Sequence, residues 1–128
     1  MGALARQPWI DLPSCPELIS QGGFGLHGGR ALQLHQKGYC LLRPDDPQWP
    51  GLIDAARSQL EPAVDLEEWR TGADARIRLT DAWKTHGAAA VKALAMNPEL
   101  SELLRVCYGR EPFVFQTLNF PVGSNQAV

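Results

Sequence analysis

The sequence is poor in the residue types on which disulfide-rich domains and zinc proteins depend. Its 128 residues include three cysteines, Cys15, Cys40 and Cys107, which are widely spaced and odd in number. This pattern argues against a disulfide framework and against a zinc site, and it favours buried thiols in a reducing compartment. Cys15 stands between Pro13 and Pro16, so we expect that thiol to lie exposed in a loop.

The chain also lacks long apolar runs and an excess of basic charge. No stretch approaches the roughly 18 apolar residues that a membrane helix requires, and no charged region followed by an apolar run indicates a signal peptide. Twelve basic and fourteen acidic residues give a net charge of −2. They form no basic stripe of the kind that binds nucleic acid. We therefore expect a soluble, cytoplasmic protein that binds neither membranes nor nucleic acids.

Histidines and nucleophile motifs are scarce. A non-haem iron site needs two histidines and one carboxylate, yet none of His27, His35 and His86 begins a His-x-Asp or His-x-Glu pair. Neither Ser14 nor Ser124 lies in a G-x-S-x-G motif. The adjacent acidic side chains in "EEWR" and "PDDP" point in different directions in a helix or a strand, so they are not expected to act as an acid/base pair. The sequence therefore predicts no catalytic residue and no metal ligand, and the histidines are interpreted as polar surface or half-buried residues.

What the chain does contain is a predicted irregular segment, residues 1–29, followed by a region rich in helix patterns, residues 30–128. An apolar fraction of 45% is ordinary for a folded domain. Four helices are expected: "RALQLHQK" ended by Gly38, a helix between Pro50 and Pro62, one near residues 87–96, and one that begins after Asn97. The polar stretch 65–75 has Trp69 as its only large apolar anchor.

The last predicted helix carries the clearest pattern. Asn97 is a typical N-cap with Pro98 in the first turn, and an apolar stripe runs from Leu100 to Cys107 before Gly109 ends the helix. Two or three strands are expected. Apolar and β-branched content indicates strands in "YCLLR" and in "PFVFQTLNF", whereas "RIRL" is too short to assign. The first of these strands is predicted to lie in the core.

The segment "GFGLHG", Gly23–Gly28, matches the G-x-G-x-x-G spacing of dinucleotide-binding turns. In such folds the glycines allow a tight turn and a close approach to the pyrophosphate, and a strand precedes them. No strand pattern precedes Gly23 here. A flexible surface loop is therefore favoured, and a nucleotide-binding protein remains the less favoured alternative.

Neutral polar residues interrupt the strand predicted near the end of the sequence. In a regular strand Asn119 faces one side and Gln116 the other, among large apolar residues. Cavity-lining strands have this character, because a few polar groups orient a ligand against apolar walls. The alternative is that Gln116 or Asn119 satisfies neighbouring backbone groups.

The segment "FQTLNFPVGSNQAV" resembles the sequence that leads into the metal motif of the phytanoyl-CoA dioxygenase family. "LHQKGYCLLRP", "RIRLTDAW" and "PELSELLRVCYGREPFVFQTLNF" are similar to other parts of that family's N-terminal region. The resemblance covers roughly residues 30–128 and is most specific over Tyr108–Gln126. It implies the N-terminal portion of a double-stranded β-helix, that is, an α+β fold with a helical layer, the first strands and an incomplete barrel.

Members of this family are iron(II)- and 2-oxoglutarate-dependent oxygenases. Their His-x-Asp motif directly follows the segment that matches "GSNQAV", so the resemblance implies that this chain lacks the iron ligands and is inactive alone. Gln116 and Asn119 match positions that face the cosubstrate or substrate cavity. The expected whole protein hydroxylates a small organic substrate. The alternative is a non-catalytic helical interaction module derived from the same fold.

Overall fold

A computed structural model describes residues 7–74, 76 and 78–121 of the chain. Among these residues helices predominate, with a two-stranded antiparallel sheet. The general α+β class is therefore confirmed, and the described residues form no jelly roll. The chain divides into two compact units. The first unit combines Met1–Pro44 with Asn97–Phe113, and the second combines Asp45–Met96 with Val114–Val128.

Seven α-helices and two strands are present in the part of the chain that the structure describes. The helices are α1 (Cys15–Gly22), α2 (Gly25–Lys37), α3 (Trp49–Leu60), α4 (Leu66–Thr71), α5 (Ala82–Thr85), α6 (Ala89–Ala95) and α7 (Pro98–Tyr108). The strands are β1 (Leu79–Thr80) and β2 (Leu118–Asn119), and single 3-10 turns cover Trp9–Asp11 and Glu61–Ala63. The prediction of four helices was too low, because α1, α4 and α5 are too short to show a clear apolar period.

The first unit is a helical cluster in which α1 and α7 both contact α2. Its buried core consists of small and medium side chains: Cys15, Ile19, Ala31, Leu103, Val106 and Cys107. Trp9 and Phe24 cover this core, with ring centroids 6.0 Å apart. The unit depends on a helix from the second half of the sequence, since α7 supplies three of the six buried residues.

The segment predicted to be irregular contains α1 and the first turns of α2. Helix α1 ends at Gly23, which has a left-handed φ of 64°, and α2 begins two residues later at Gly25. Gly28 lies where the helices meet, because a Cβ added there would be 3.0 Å from Cγ2 of Ile19. The glycine run is therefore a tight helix–helix corner, not the flexible loop that we expected.

Helix α7 follows its sequence pattern closely. The side chain of Asn97 accepts hydrogen bonds from the backbone N–H groups of Glu99 and Leu100 at 3.0 and 3.2 Å, which satisfies two of the free donors of the first turn. Gly109 ends the helix with φ 68°. The N-cap and the end of this helix are confirmed as predicted.

The predicted strand "YCLLR" has no regular secondary structure and belongs to no sheet among the described residues. Cys40 and Leu42 pack against the core of the first unit, whereas Tyr39 and Leu41 are 63% and 82% exposed. The prediction that the whole segment lies in the core was wrong. The segment has the two faces of a strand, and only one of them is covered.

The second unit is built on α3 and α6, which pack against each other, with α5 against α6. Its core is largely alanine, with Trp69, Leu79 and Val91 as the larger buried side chains. Trp69 is 3% exposed, so its predicted role as anchor is confirmed, although α4 around it was not predicted. Asp65 caps α4 by accepting from the N–H groups of Glu67 and Glu68.

The sheet of the second unit is small. Leu79 of β1 lies opposite Asn119 of β2, and Thr80 lies opposite Leu118. The strand predicted over residues 112–120 is thus reduced to two paired residues. At the end of β1 Asp81 adopts φ 50°. Its backbone N–H donates to the Thr117 carbonyl, and its Oδ1 accepts from the Thr117 N–H, both at 2.9 Å.

Candidate functional site

The second unit contains an open cavity of about 470 Å³ beside its sheet. Most of its wall is apolar and consists of Leu60, Val64, Leu66, Leu79, Phe120 and Pro121. Three polar residues, Arg57, Glu61 and Asn119, complete the lining. A cavity in the range of 300–1,000 Å³ with apolar walls and few polar groups has the character of a small-molecule site.

Local structure explains why these side chains share one cavity. Arg57, Leu60 and Glu61 are spaced i, i+3 and i+4 from the end of α3 into the turn that follows, so they lie on one face. Leu79 and Asn119 are directly opposite in the sheet, and opposite residues in an antiparallel pair project to the same side. The cavity therefore lies between a helix face and one face of the sheet.

The two cavity residues proposed from the sequence lie in different environments. Asn119 lines the cavity, and its Oδ1 is buried without a hydrogen-bond partner. Gln116 is exposed and does not contribute to this cavity. The structure thus separates the two along the predicted strand, while a role in substrate or cosubstrate binding stays a prediction for both.

The two charged side chains of the cavity, Arg57 and Glu61, form only a weak ion pair. Nε of Arg57 lies 3.6 Å from Oε1 of Glu61, and the side chains are 80% and 63% exposed. An exposed ion pair at this distance contributes little, about 0–1 kcal/mol. Among the described residues the Arg57 side chain makes no hydrogen bond, so its donors are available.

The three histidines lie in three separate settings. His27 is near Arg30, with 3.5 Å between Nδ1 and the guanidinium. Nδ1 of His35 is 2.7 Å from the Ile10 carbonyl oxygen. His86 is exposed and hydrogen-bonded to the Thr85 hydroxyl. In the part of the chain described, no three His, Cys, Asp or Glu side chains are placed to hold a metal ion.

The three cysteines meet in the core of the first unit, although they are far apart in sequence. Cys15 and Cys107 are 0% and 1% exposed, and Cys40 packs against the same cluster. The expectation that Cys15 is exposed was wrong, because α1 begins at this residue and directs it inward.

Burial, together with Cys40 and Cys15, raises the pKa of Cys107 to about 11. Burial and then Glu17 raise the pKa of Cys15. The thiols of Cys15 and Cys107 are therefore protonated at neutral pH and behave as small apolar groups.

The most strongly shifted carboxyl lies in a loop between α4 and β1. Arg76 donates side-chain and backbone hydrogen bonds to Asp74, and these lower the pKa of Asp74 to about 2. The Arg76 guanidinium also lies 5.5 Å from the centre of the Trp69 ring. The lowered pKa of Asp74 is explained by this ion pair with Arg76, so it does not indicate an acid or base catalyst.

The remaining sequence motifs do not assemble into a site. The glycines of Gly23–Gly28 follow helix α1, whereas the dinucleotide fingerprint requires a strand before them. Glu67 and Glu68 are exposed in the first turn of α4. Ser124 lies outside the described residues. The nucleotide-binding alternative therefore lacks the structural context that its motif needs.

Sequence reasoning missed two polar residues of the cavity, Arg57 and Glu61. Their i, i+4 spacing at the end of a predicted helix, with Leu60 on the same face, was a usable signal. The sequence could not place these two residues near Asn119. That placement depends on the pairing of β1 with β2, which are separated by 37 residues of the chain, and a local pattern does not show such pairing.

No helix in the described residues has the length and apolar character to cross a membrane. Comparison with models of known protein families, with curated proteins and with solved structures gives no match in any of the three searches.

Proposed function

We propose that this chain is part of an iron(II)- and 2-oxoglutarate-dependent oxygenase related to the phytanoyl-CoA dioxygenase family, which hydroxylates a small organic substrate. The observation that carries the proposal is the resemblance over residues 30–128, strongest in Tyr108–Gln126. Asn119, which lies in that segment, lines an apolar cavity of suitable size. The proposal extends the expected double-stranded β-helix to the whole protein, with β1 and β2 as its first paired strands.

The described residues of this chain do not fit an iron site. None of the described His, Cys, Asp and Glu side chains form a group of three, and His27, His35 and His86 lie in separate settings. The proposal therefore assigns no iron ligand and no catalytic residue to this chain. Its own contribution is to bind and orient an organic molecule in the cavity beside Asn119.

The family assignment can be tested on the gene. Sequencing the coding DNA on the 3′ side of the Val128 codon is expected to show a His-x-Asp codon pair in frame shortly after it. An in-frame sequence without that motif, or a stop codon, would contradict the proposal.

The expected inactivity of the isolated chain has its own assay. The purified 128-residue chain is mixed with iron(II) and 2-oxoglutarate, and succinate is measured against a protein-free control. Succinate formation equal to the control is expected. Steady turnover, or stoichiometric binding of iron, would overturn the statement that this chain supplies no iron ligand.

A non-catalytic interaction module is the second candidate, favoured by apolar side chains exposed on the first unit. Leu26, Tyr39 and Leu41 are 70%, 63% and 82% exposed, and such apolar side chains are available for contact with a partner. This candidate expects a monodisperse chain with one cooperative thermal transition and no His-x-Asp motif in the gene. Poor solubility together with that motif would exclude it.

A further inference from the structure

The ends of α2 and α7 meet at one place in the first unit, the 3-10 turn Trp9–Asp11. At the end of α2, Nδ1 of His35 lies 2.7 Å from the carbonyl oxygen of Ile10. At the end of α7, a Cβ added to Gly109 would collide with the Trp9 indole. The last turns of the two helices therefore lie close to the same short segment.

Each of these helix ends carries a cysteine. Cys107 lies in the last turn of α7, and Cys40 follows shortly after Gly38, which ends α2. Cys40 packs against the buried cluster that contains Cys107. Cys15 joins the same cluster from the first residue of α1, and all three thiols are free. The fold thus gathers three thiols that are far apart in sequence.

The three thiols differ in their access to water. Cys15 and Cys107 are 0% and 1% exposed, whereas Cys40 is half-buried. The neighbours of Cys40 in the chain, Tyr39 and Leu41, are 63% and 82% exposed, so solvent reaches this segment from its outer face. Oxidation of a cysteine follows its access to the oxidant and its thiolate character. Cys40 is therefore the thiol that a dissolved oxidant meets first.

The interactions among the thiols indicate which of them is the partner of Cys40. Burial, then Cys40 and then Cys15 raise the pKa of Cys107, so Cys40 acts on Cys107 more strongly than Cys15 does. Burial and then Glu17 raise the pKa of Cys15. Electrostatic interactions weaken with distance. Together with the shared cluster, this order favours the pair Cys40 and Cys107.

We propose that Cys40 and Cys107 form a reversible disulfide when the chain meets hydrogen peroxide, and that this bond locks the first unit. The two residues belong to the two separate stretches of the chain that build this unit, so the bond closes a loop around residues 45–96. A cross-link over a long loop restricts the unfolded chain. The inference concerns the first unit alone and does not depend on the oxygenase proposal.

The reaction has two steps. The Cys40 thiolate attacks one oxygen of the peroxide, the O–O bond breaks, and Cys40 becomes a sulfenic acid. The hydroxide that leaves becomes water with the proton of the Cys40 thiol. Sγ of Cys107 then attacks Sγ of Cys40, the S–O bond breaks, and the second hydroxide leaves as water with the Cys107 proton. The peroxide is reduced to two waters, and the two thiols are oxidised to one disulfide, which dithiothreitol reverses by exchange.

Peptide mapping of the wild-type chain tests the pairing. The reduced chain is treated with hydrogen peroxide at neutral pH, the remaining thiols are alkylated, and the tryptic peptides are identified by mass spectrometry. Trypsin places Cys15, Cys40 and Cys107 in three different peptides. A cross-link between the peptides of Cys40 and Cys107 is expected, with Cys15 alkylated and the chain still monomeric. A disulfide that includes Cys15, a disulfide only between chains, or oxidation of Cys40 to sulfinic acid without any disulfide would overturn the inference.

Thermal melts test the lock. The oxidised chain is expected to unfold at a higher temperature than the reduced chain, and dithiothreitol is expected to restore the lower midpoint. An equal or lower midpoint in the oxidised chain would show that the disulfide does not lock the first unit.

Three variants assign the roles of the thiols. Cys40→Ser is expected to abolish the disulfide and to slow the loss of thiols to peroxide, since both remaining thiols are buried. In Cys107→Ala the sulfenic acid of Cys40 is expected to accumulate, where dimedone traps it. Cys15→Ala is the matched control, and it is expected to form the disulfide as the wild type does.

Two results would contradict these roles: a disulfide formed at the wild-type rate in Cys40→Ser, or its loss in a folded Cys15→Ala chain. Circular dichroism establishes which variants are folded. If a variant at a buried cysteine does not fold, the wild-type peptide map still decides between the two possible partners of Cys40.

Discussion

At the scale of single residues, the chain uses small side chains where two elements meet. Gly28 lets α1 and α2 approach, since an added Cβ would lie 3.0 Å from Cγ2 of Ile19 and 3.4 Å from Cβ of Phe24. Its neighbour Gly29 has nothing within 4 Å of the same position. The packing of α1 against α2 therefore requires a small residue at Gly28 but not at Gly29.

The two glycines give a matched pair of variants. Gly28→Val is expected to lower the free energy of unfolding by about 1–3 kcal/mol, because the branched side chain overpacks against buried Ile19. Gly29→Val is expected to change it by less than about 0.5 kcal/mol, as for other exposed positions. Chemical denaturation followed by circular dichroism measures both. Equal effects at the two positions would show that α1 and α2 do not meet at Gly28.

The Cys107 thiol predicts a loss of stability in alkali. Its pKa is about 11 in the folded chain against 9.0 for the free group. Below pH 9 both states hold the proton, whereas between these values only the unfolded state releases it. The free energy of unfolding should therefore fall as the pH rises through this window, by about 2–3 kcal/mol in total.

Cys107→Ala is the control for this titration, because it removes the group while other alkaline titrations remain. The difference in unfolding free energy between wild type and Cys107→Ala, followed from pH 8 to pH 11, isolates the thiol. A difference that stays constant across the window would show that the Cys107 thiol is not shielded from water.

Residue-level prediction succeeded where the chemistry is local. Asn97 was identified as a cap because its partners are two and three residues away. The exposure of Cys15 was predicted wrongly, because its environment depends on α7, some ninety positions later in the chain. Burial of a given residue depends on partners that a local pattern does not contain.

At the scale of elements, the short sheet is joined to the helices through one turn. Asp81 is the only non-glycine residue with positive φ among the described residues, and it exchanges two hydrogen bonds with Thr117. These bonds extend the β1–β2 contact by one pair beyond the ladder itself. A two-residue strand pair depends on such additional contacts, because isolated hairpins are marginally stable.

Replacement of Asp81 tests this connection. Asp81→Ala is expected to cost about 1–3 kcal/mol of unfolding free energy, since the Thr117 N–H loses its acceptor and alanine disfavours the left-handed conformation. Asp81→Asn keeps an acceptor oxygen and tolerates positive φ, so it is expected to be nearly neutral. Thermal melts of the two variants against wild type provide the comparison. If Asp81→Asn lowers the free energy of unfolding as much as Asp81→Ala does, the loss comes from the ion pair between Asp81 and Lys84 and not from the hydrogen bond to Thr117.

Helices with a proline in the first turn and an apolar stripe were predictable, as α3 and α7 show. The strands were not, because a strand is defined by its partner. "YCLLR" has strand composition and alternating burial but no partner strand among the described residues, and "PFVFQTLNF" pairs at only two positions. Composition therefore did not predict which residues pair in the sheet.

At the scale of the whole molecule, large apolar side chains remain exposed on the segment around β2. Leu118 in β2 is 46% exposed and lies on the face of the sheet opposite to the cavity. Exposed apolar strands act as templates for pairing with other chains. We therefore expect the isolated chain to self-associate as its concentration rises.

A single charge at β2 should reduce this association. Leu118→Lys is expected to shift the distribution toward monomer, because lysine on an edge opposes strand pairing. Light scattering over a concentration series measures the change. Leu41→Lys places the same charge at a more exposed apolar residue of the first unit, and a smaller effect is expected there. An equal effect of both would show that general surface hydrophobicity, and not β2, causes the association.

The candidate site was predicted in part at this scale. Asn119 was singled out because a neutral polar residue interrupts an aromatic stretch, and the structure places it at a cavity. Arg57 and Glu61 come from a helix more than fifty positions earlier. Which elements face each other depends on the packing of the whole second unit, and no local pattern specifies it.

The first unit is assembled from two stretches of the chain that are separated by residues 45–96, and this affects its folding during synthesis on the ribosome. Helices α1 and α2 leave the exit tunnel early, but their core stays incomplete until α7, with Leu103, Val106 and Cys107, has been translated. In the interval the apolar faces of α1 and α2 are open to water and to other nascent chains. A slow codon run within the intervening segment would lengthen that interval, so the yield of folded protein should depend on the speed of translation through residues 45–96.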